Sequence, residues 1–122
     1  MGATRLRAAR GAIRVSEDTD DRIFAATERL LEAMFERNGV LREDVVSIFF
    51  TATEDLRAAF PAEAARRMGL GVVPLMCAQE IAVRGSMPGV VRVLMHFHTD
   101  REPGEIVPTY LDGAESLRDD LG

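Results

Sequence analysis

The feature that most constrains the fold is one long amphipathic helix, predicted over residues 16–39 between two strand-like segments. Asp18 or Thr19 can cap its start, and Asn38-Gly39 can adopt the left-handed conformation that ends a helix. Its apolar side chains recur at the spacing of one buried face: Ile23, Ala26, Thr27, Leu30, Leu31 and Met34. The charged residues lie elsewhere on the helix, so we interpret it as structural.

Four further segments have the residue pattern of strands, and a shorter helix is predicted between two of them. The strands are predicted over 6–15, 45–51, 72–76 and 90–98, and the second helix over 61–68. Residues 90–98 alternate most regularly, with Val91, Val93, Met95 and Phe97 on one face and Arg92, Leu94, His96 and His98 on the other. Pro74 indicates that the third strand lies at a sheet edge or contains a bulge.

Length and charge exclude several classes of protein. With 122 residues, the chain is predicted to be a single domain over 1–122, with a flexible tail over about 118–122. Its net charge of −5 disfavours a nucleic-acid partner, and no apolar stretch reaches the roughly 20 residues that span a bilayer. The single cysteine, Cys77, cannot form an intrachain disulfide. We therefore expect a cytoplasmic protein with no nucleic-acid or membrane partner.

A candidate site lies around the third and fourth strands. Cys77 and Glu80 are near the end of the first of these, and Arg92 is near the start of the second. A carboxylate, a thiol and a guanidinium suit a small, oxygen-rich anionic ligand. Cys77 alone fits a small buried apolar residue, whereas Glu80 lies among apolar neighbours where a charge needs a partner. Arg10 fits a solvated edge position as well as a ligand contact, although Gly11 beside it would allow a close approach to the backbone.

Two other kinds of chemistry find little support in the sequence. His96 and His98 have the spacing of a metal pair, but the one other soft ligand is Cys77, so we expect no metal and no cofactor. The residues offer no Ser-His-Asp or Cys-His arrangement for nucleophilic catalysis.

Seven short motifs follow one another along nearly the whole chain. They are Arg10-Gly11-Ala12, Ala-Thr-x-Asp-Leu-x-Ala-x-Phe-Pro-Ala over 52–62, Val-Pro-x-x-Cys-x-Gln-Glu over 73–80, Val91-Arg92-Val93, Thr99-Asp100, Tyr110-Leu111 and Leu-Arg-x-Asp over 117–120. In their order and spacing the chain resembles the monofunctional chorismate mutases of the mixed α/β, trimeric class (AroH-type), which are distinct from the all-helical class.

The resemblance implies an α+β fold, with a mixed β-sheet and two main helices packed on it in a ferredoxin-like topology. It further implies a homotrimer in which the sheets form a pseudo-α/β-barrel, with active sites at the subunit interfaces. On this basis we expect residues 60–66 of one subunit to meet Arg10, Glu80, Arg92 and Tyr110, mainly from another.

The activity implied by the resemblance is the conversion of chorismate to prephenate, an intramolecular [3,3] rearrangement in aromatic amino acid biosynthesis (the shikimate pathway). Arg92 would stabilise the negative charge that develops on the ether oxygen, and Glu80 would bind the ring hydroxyl and offset positive charge on the ring. Arg10 completes the implied catalytic set by holding the side-chain carboxylate with Tyr110.

The remaining implied contacts bind the substrate. They are Cys77 at the ring hydroxyl, Arg66 and Arg118 near the ring carboxylate, Phe60 and Leu117 as apolar walls, and Met76 through its main chain. Two residues depart from the pattern of the class: Glu63 stands where a basic residue is common, and Met76 where a threonine is common.

One alternative from another class of function is a non-catalytic trimeric protein that binds or senses a small carboxylate. It would also use Arg10 and Arg92 in an interface cleft. However, a simple carboxylate binder gains nothing from Cys77 and the acidic Glu80 beside Arg92, and this observation favours the mutase.

Overall fold

The structure is a computed structural model that describes residues 3–121, and it has five strands and two α-helices over that range. In chain order these are β1 (Arg5–Arg14), α1 (Asp20–Asn38), β2 (Val45–Ala52), α2 (Ala62–Arg67), β3 (Leu75–Gln79), β4 (Val90–Thr99) and β5 (Thr109–Leu111). Short 3-10 helices cover Arg42–Asp44, Pro103–Glu105 and Glu115–Leu121. The tail predicted over 118–122 thus overlaps the last of these, and Gly122 lies outside the described residues.

The strands form one mixed sheet in the order β3-β2-β4-β1-β5. Strand β4 is antiparallel to both β1 and β2, whereas β2 pairs with β3 and β1 pairs with β5 in parallel. The predicted mixed sheet with two packed helices is confirmed. Strand β2 separates β3 from β4, so the two strands of the candidate site are not neighbours.

Helix α1 begins four residues later than predicted. Thr19 has an extended backbone and its side chain accepts a hydrogen bond from the Arg22 N–H at 3.2 Å, which makes it the cap. Gly39 ends the helix with a φ of 60°. The predicted apolar stripe is otherwise confirmed, because most of its side chains are buried.

Gly11 serves the packing of this helix. A Cβ at position 11 would lie 2.5 Å from Sδ of Met34 and 3.1 Å from Cδ1 of Leu30. The predicted close approach to the Gly11 backbone is therefore confirmed, and the group that approaches it is a side chain of α1.

The predicted bounds of the third strand were also wrong. Val72 and Val73 lie in a turn, where the Val73 N–H donates to the Leu70 carbonyl at 3.0 Å, and Pro74 precedes the strand. β3 is an edge strand, as Pro74 predicted. The displacement puts Cys77 inside β3, and Glu80 directly follows its last residue.

The two faces of the sheet differ. The helices cover the face that carries Ile13, Ile48, Phe50, Val93 and Phe97, all of them buried in the main core. The opposite face, called the open face below, carries apolar side chains that remain partly exposed: Leu6 (53%), Phe49 (40%), Met76 (59%) and Leu94 (37%). Only one corner of it is covered, where the C-terminal Ala114 and Leu117 pack on Ala12, Val90 and Tyr110 within the described residues.

None of the helices in residues 3–121 combines the length and the apolar character that crossing a bilayer requires.

Candidate active site

A row of residues crosses the open face beside the covered corner. Tyr110 on β5 lies opposite Ala12 on β1, Ala12 lies opposite Arg92 on β4, and Arg92 lies opposite Thr51 on β2. Since neighbouring strands are about 4.8 Å apart, the backbones at Tyr110 and Arg92 are about 10 Å apart. The small side chain of Ala12 lies between them, so the centre of the row is a shallow depression with polar groups on both sides.

Arg92 is paired with Glu80. Nε of Arg92 lies 3.3 Å from Oε1 of Glu80, and the two side chains are 36% and 28% exposed. The contact is an ion pair without a hydrogen bond, because the N–H does not point at the carboxylate and Nε has no acceptor among the described residues. The Glu80 N–H donates to the Ala52 carbonyl at 2.9 Å, which fixes the residue to the end of β2.

Two more buried polar atoms of the row lack partners. Within the part of the chain that the structure describes, neither Oγ1 of Thr51 nor Oη of Tyr110 has a hydrogen bond. A buried polar group left unpaired costs about 1–3 kcal/mol, so such groups are rare unless something binds to them. Together with Nε of Arg92, they mark this row as a place that accepts an external polar group. Oγ1 of Thr109 is also unpaired, but it lies on the helix-covered face.

The start of β4 is fixed by a clamp formed by Thr53 and Asp55. Oδ1 of Asp55 accepts from the Gly89 N–H at 3.2 Å, and Oγ1 of Thr53 accepts from the Val90 N–H at 3.0 Å. The Thr53 N–H donates to the Val90 carbonyl at 3.0 Å. Gly89 has a φ of 68°, which favours glycine there. Arg92 follows two residues after this clamp, so its position depends on these bonds.

The same contacts change the acidity of Asp55. A hydrogen bond with the Thr53 side chain lowers its pKa most, and the Gly89 N–H and the charge of Arg14 act in the same direction, against an opposing effect of burial. Sequence reasoning missed this clamp. Its available signal was the Thr-x-Asp pattern directly after a buried strand, because such side chains often bond to nearby backbone.

Two clefts lie along the row. The first, the Arg92 cleft, has a volume of about 600 Å³ and is lined by Glu80, Arg92, Leu117 and the loop of residues 81–88. The second, the Arg10 cleft, has about 350 Å³ and is lined by Arg10, Tyr110 and Arg118. Arg10 lies opposite Leu94, two residues along β1 from Ala12, and it is exposed. The two clefts hold four guanidiniums, those of Arg84 and Arg92 in the first and those of Arg10 and Arg118 in the second.

The other predicted site residues do not join this row within one chain. Cys77 lies opposite Phe50, so its side chain is on the helix-covered face, where it lines a cleft of about 640 Å³ with Phe60. Arg66 is exposed on α2 and pairs with Glu63 at 3.1 Å. Met76 lies on the open face beside Phe49, away from the Glu80–Arg92 pair.

The two histidines have other neighbours. Nδ1 of His96 lies 3.4 Å from Oγ of Ser47, and its ring meets Phe49 edge-on at 5.8 Å between centroids. His98 is exposed. Among the residues whose positions the structure describes, no group of three or more His, Cys, Asp or Glu residues has the arrangement of a metal site.

Comparison with known proteins gives a consistent result. The family model described as chorismate mutase type I matches residues 6–121. Chorismate mutase AroH of Thermus thermophilus is 48% identical over 117 residues, 95% of this chain and 96% of that protein. Chorismate mutase AroH of Bacillus subtilis (strain 168) is 41% identical over 117 residues, 95% of this chain and 92% of that protein. The solved structure of chorismate mutase from Clostridium thermocellum Cth-682 has a TM-score of 0.89 at 50% identity, with 91% of this chain and 99% of that chain covered. The chain therefore belongs to the chorismate mutase type I family.

Proposed function

We propose that Arg92 provides the main electrostatic catalysis in this chorismate mutase. The enzyme isomerises chorismate to prephenate, and the substrate carries two carboxylates, a ring hydroxyl and an ether oxygen. In the rearrangement a C–C bond forms while the ether C–O bond breaks, within one molecule. The reaction thus needs positioning and charge stabilisation rather than a nucleophile.

The role of Arg92 follows from its unpaired donor. As the C–O bond breaks, negative charge grows on the ether oxygen, and a fixed guanidinium beside it stabilises the transition state more than the ground state. The single observation that carries the proposal is the buried Nε of Arg92, which has no acceptor among the described side chains of residues 3–118 although Glu80 is adjacent. A substrate oxygen would supply that acceptor.

Glu80 and the residues of the Arg10 cleft make the remaining polar contacts with the substrate. We assign Glu80 to the ring hydroxyl, where its charge also offsets positive charge on the ring. Arg10 and Tyr110 hold the side-chain carboxylate, which would give the Tyr110 hydroxyl its missing partner. Leu117 provides an apolar wall, and Arg118, which lines the same cleft as Arg10, adds positive charge at its mouth.

The working enzyme is proposed to be a homotrimer with its active sites between subunits. Two observations support this. The open face leaves Leu6, Phe49, Met76 and Leu94 partly exposed, which is typical of a surface that packs against another chain. Phe60, Cys77 and Arg66 also lie away from Arg92 in one chain, so a neighbouring subunit is the simplest source of these groups. Three sheets packed by their open faces would form the pseudo-α/β-barrel.

We further propose that residues 1–122 act as a single domain and that the enzyme works in the cytoplasm in aromatic amino acid biosynthesis. The lone Cys77 supports the location, since it fits a reducing compartment.

The proposed reaction is tested by incubating the purified protein with chorismate and following the loss of its ultraviolet absorbance. We expect turnover, and we expect it to persist in the presence of a chelator. A protein that binds chorismate without converting it would instead be the small-carboxylate sensor considered above.

A further inference from the structure

The charge balance of the Arg92 cleft is unfavourable for its substrate. Three carboxylates, those of Glu54, Asp55 and Glu80, and two guanidiniums, those of Arg84 and Arg92, line this cleft. The chain as a whole carries a net charge of −5. A substrate with two carboxylates is therefore repelled by the bulk of the protein and must be attracted locally. Besides Arg92, the cation that lines this cleft is Arg84.

Arg66, a candidate for capturing the substrate, has its charge offset within its own helix. Nη1 of Arg66 lies 3.1 Å from Oε1 of Glu63, three residues earlier on α2. An acid at this distance lowers the net charge that the helix presents to an approaching anion. Arg84, by contrast, forms no ion pair with any side chain of residues 3–118 that the structure describes.

The backbone around Arg84 is held in a defined turn. The Ser86 N–H donates to the Val83 carbonyl at 3.0 Å, and the Ser86 hydroxyl donates to the same oxygen at 2.6 Å. Gly85 has a φ of 82°, as the third residue of a type II turn requires. Arg84 therefore occupies the second position of the turn, at the exposed edge of the Arg92 cleft.

We propose that Arg84 is a substrate-capturing residue that attracts and holds a carboxylate of the substrate as it enters the Arg92 cleft. The proposal rests on the reaction taking place at Arg92. A carboxylate far from the breaking bond keeps its charge throughout the rearrangement. Arg84 therefore binds the substrate and the transition state about equally, so it lowers KM and leaves kcat unchanged.

The test compares variants of Arg84 with a control variant that loses the same charge elsewhere on the surface. Arg84→Ala and the longer, neutral Arg84→Gln remove the guanidinium, and Arg84→Lys keeps a positive charge. Arg42→Ala is the matched control, because Arg42 is exposed on the 3-10 helix before β2, at the end of that strand remote from Thr53. Initial rates are measured as a function of chorismate concentration at low and at physiological salt.

We expect both neutral variants to raise KM at low salt by about fivefold to tenfold, as the loss of one charge-assisted contact predicts, with kcat within about twofold. The salt dependence of kcat/KM should be weaker than in the wild type, Arg84→Lys should be intermediate, and Arg42→Ala should match the wild type. A KM for Arg84→Gln equal to that of Arg42→Ala would overturn the proposal, as would a loss of kcat comparable to that of an Arg92 variant. Absence of turnover in the wild type would contradict the reaction itself, so the two failures are distinguishable.

Discussion

Nε of Arg92 lies 3.3 Å from Oε1 of Glu80, yet its N–H is not directed at that oxygen and is buried without an acceptor in the described structure. The pair keeps two opposite charges adjacent while leaving one strong donor free. This relationship suits a reaction in which negative charge appears on one side of the substrate and positive charge on the other.

Replacing Arg92 by alanine should lower kcat by at least about a hundredfold, since one preorganised donor is already worth about 3 kcal/mol in an oxyanion site. Arg92→Lys should recover little, because an ammonium group lacks the planar fork of the guanidinium. The assay is the loss of chorismate absorbance, with circular dichroism as the control for folding. Near-normal turnover in a folded Arg92→Ala protein would remove this residue from the mechanism.

Tyr110→Phe should raise KM without lowering stability. The hydroxyl of Tyr110 is buried and has no partner among the described side chains of residues 3–118, so its removal relieves an unpaired polar group while it deletes the proposed substrate contact. Urea titration of the apo protein should give a free energy of unfolding equal to or above that of the wild type. A clear loss of stability with an unchanged KM would mean that the hydroxyl has a structural partner.

Gly11→Ala should lower the free energy of unfolding by about 1–3 kcal/mol, the usual range for an overpacked core. The added Cβ would lie 2.5 Å from Sδ of Met34. Combining it with a smaller residue in the double variant Gly11→Ala/Met34→Ala should relieve the clash, so the two changes should be less than additive in urea titrations. Full additivity would show that the contact with Met34 does not limit the size of the side chain at position 11.

The acidity of Asp55 predicts a specific dependence of stability on pH. Its pKa is lower in the folded protein than the ordinary value of 3.8, so the folded state favours the charged carboxylate. Its contribution is therefore fully present above the unfolded-state pKa and is lost as the pH falls through the folded-state pKa.

Urea titrations from pH 7 to pH 3 should thus show a smaller acid-induced loss of stability in Asp55→Asn than in the wild type. Asp20→Asn provides the control, since Asp20 is exposed at the start of α1. Equal slopes for Asp55→Asn and the wild type would contradict this account of the clamp.

The open face should be sensitive to charge if it packs against other subunits. Phe49→Glu and Leu94→Glu place a carboxylate on partly exposed apolar positions of that face, and both should dissociate the trimer and abolish activity. Leu41→Glu is the control, because Leu41 is 60% exposed but lies before β2, off the sheet. Sedimentation should report three chains for the wild type and for Leu41→Glu. A fully active monomer would contradict the proposed site between subunits.

Much of the fold could be predicted from the sequence, because periodicity is a local property. The alternation in β4 and the stripe on α1 identified both elements and their buried faces. The third strand was predicted to begin too early because Val72 and Val73 have strand propensity. In the structure they lie in a turn, because glycines flank Leu70 and the ring of Pro74 disfavours strand pairing.

The candidate site was predictable only in part, because side-chain contacts depend on pairing between distant segments. Glu80 and Arg92 do meet, but β2 lies between their strands, which no local pattern indicates. Cys77 falls on the other face because it pairs with Phe50 of β2, whose side chain lies in the main core, and paired residues of neighbouring strands share a face. The bonds from Thr53 and Asp55 to the start of β4 link residues more than thirty positions apart, so the sequence offered only a turn there.

Strand β1 carries two small residues in succession, and each faces a different environment. Gly11 makes room for the sulfur of Met34, whereas the small side chain of the next residue, Ala12, leaves space between Arg92 and Tyr110 on the open face. A shift of one residue in the pairing of β1 would exchange their positions, so that the methyl group of Ala12 would clash with α1 and a glycine would lie between Arg92 and Tyr110. Mutations that change core packing and mutations that change substrate preference are therefore coupled in this enzyme, because the adjacent residues Gly11 and Ala12 limit the space on the two faces of β1.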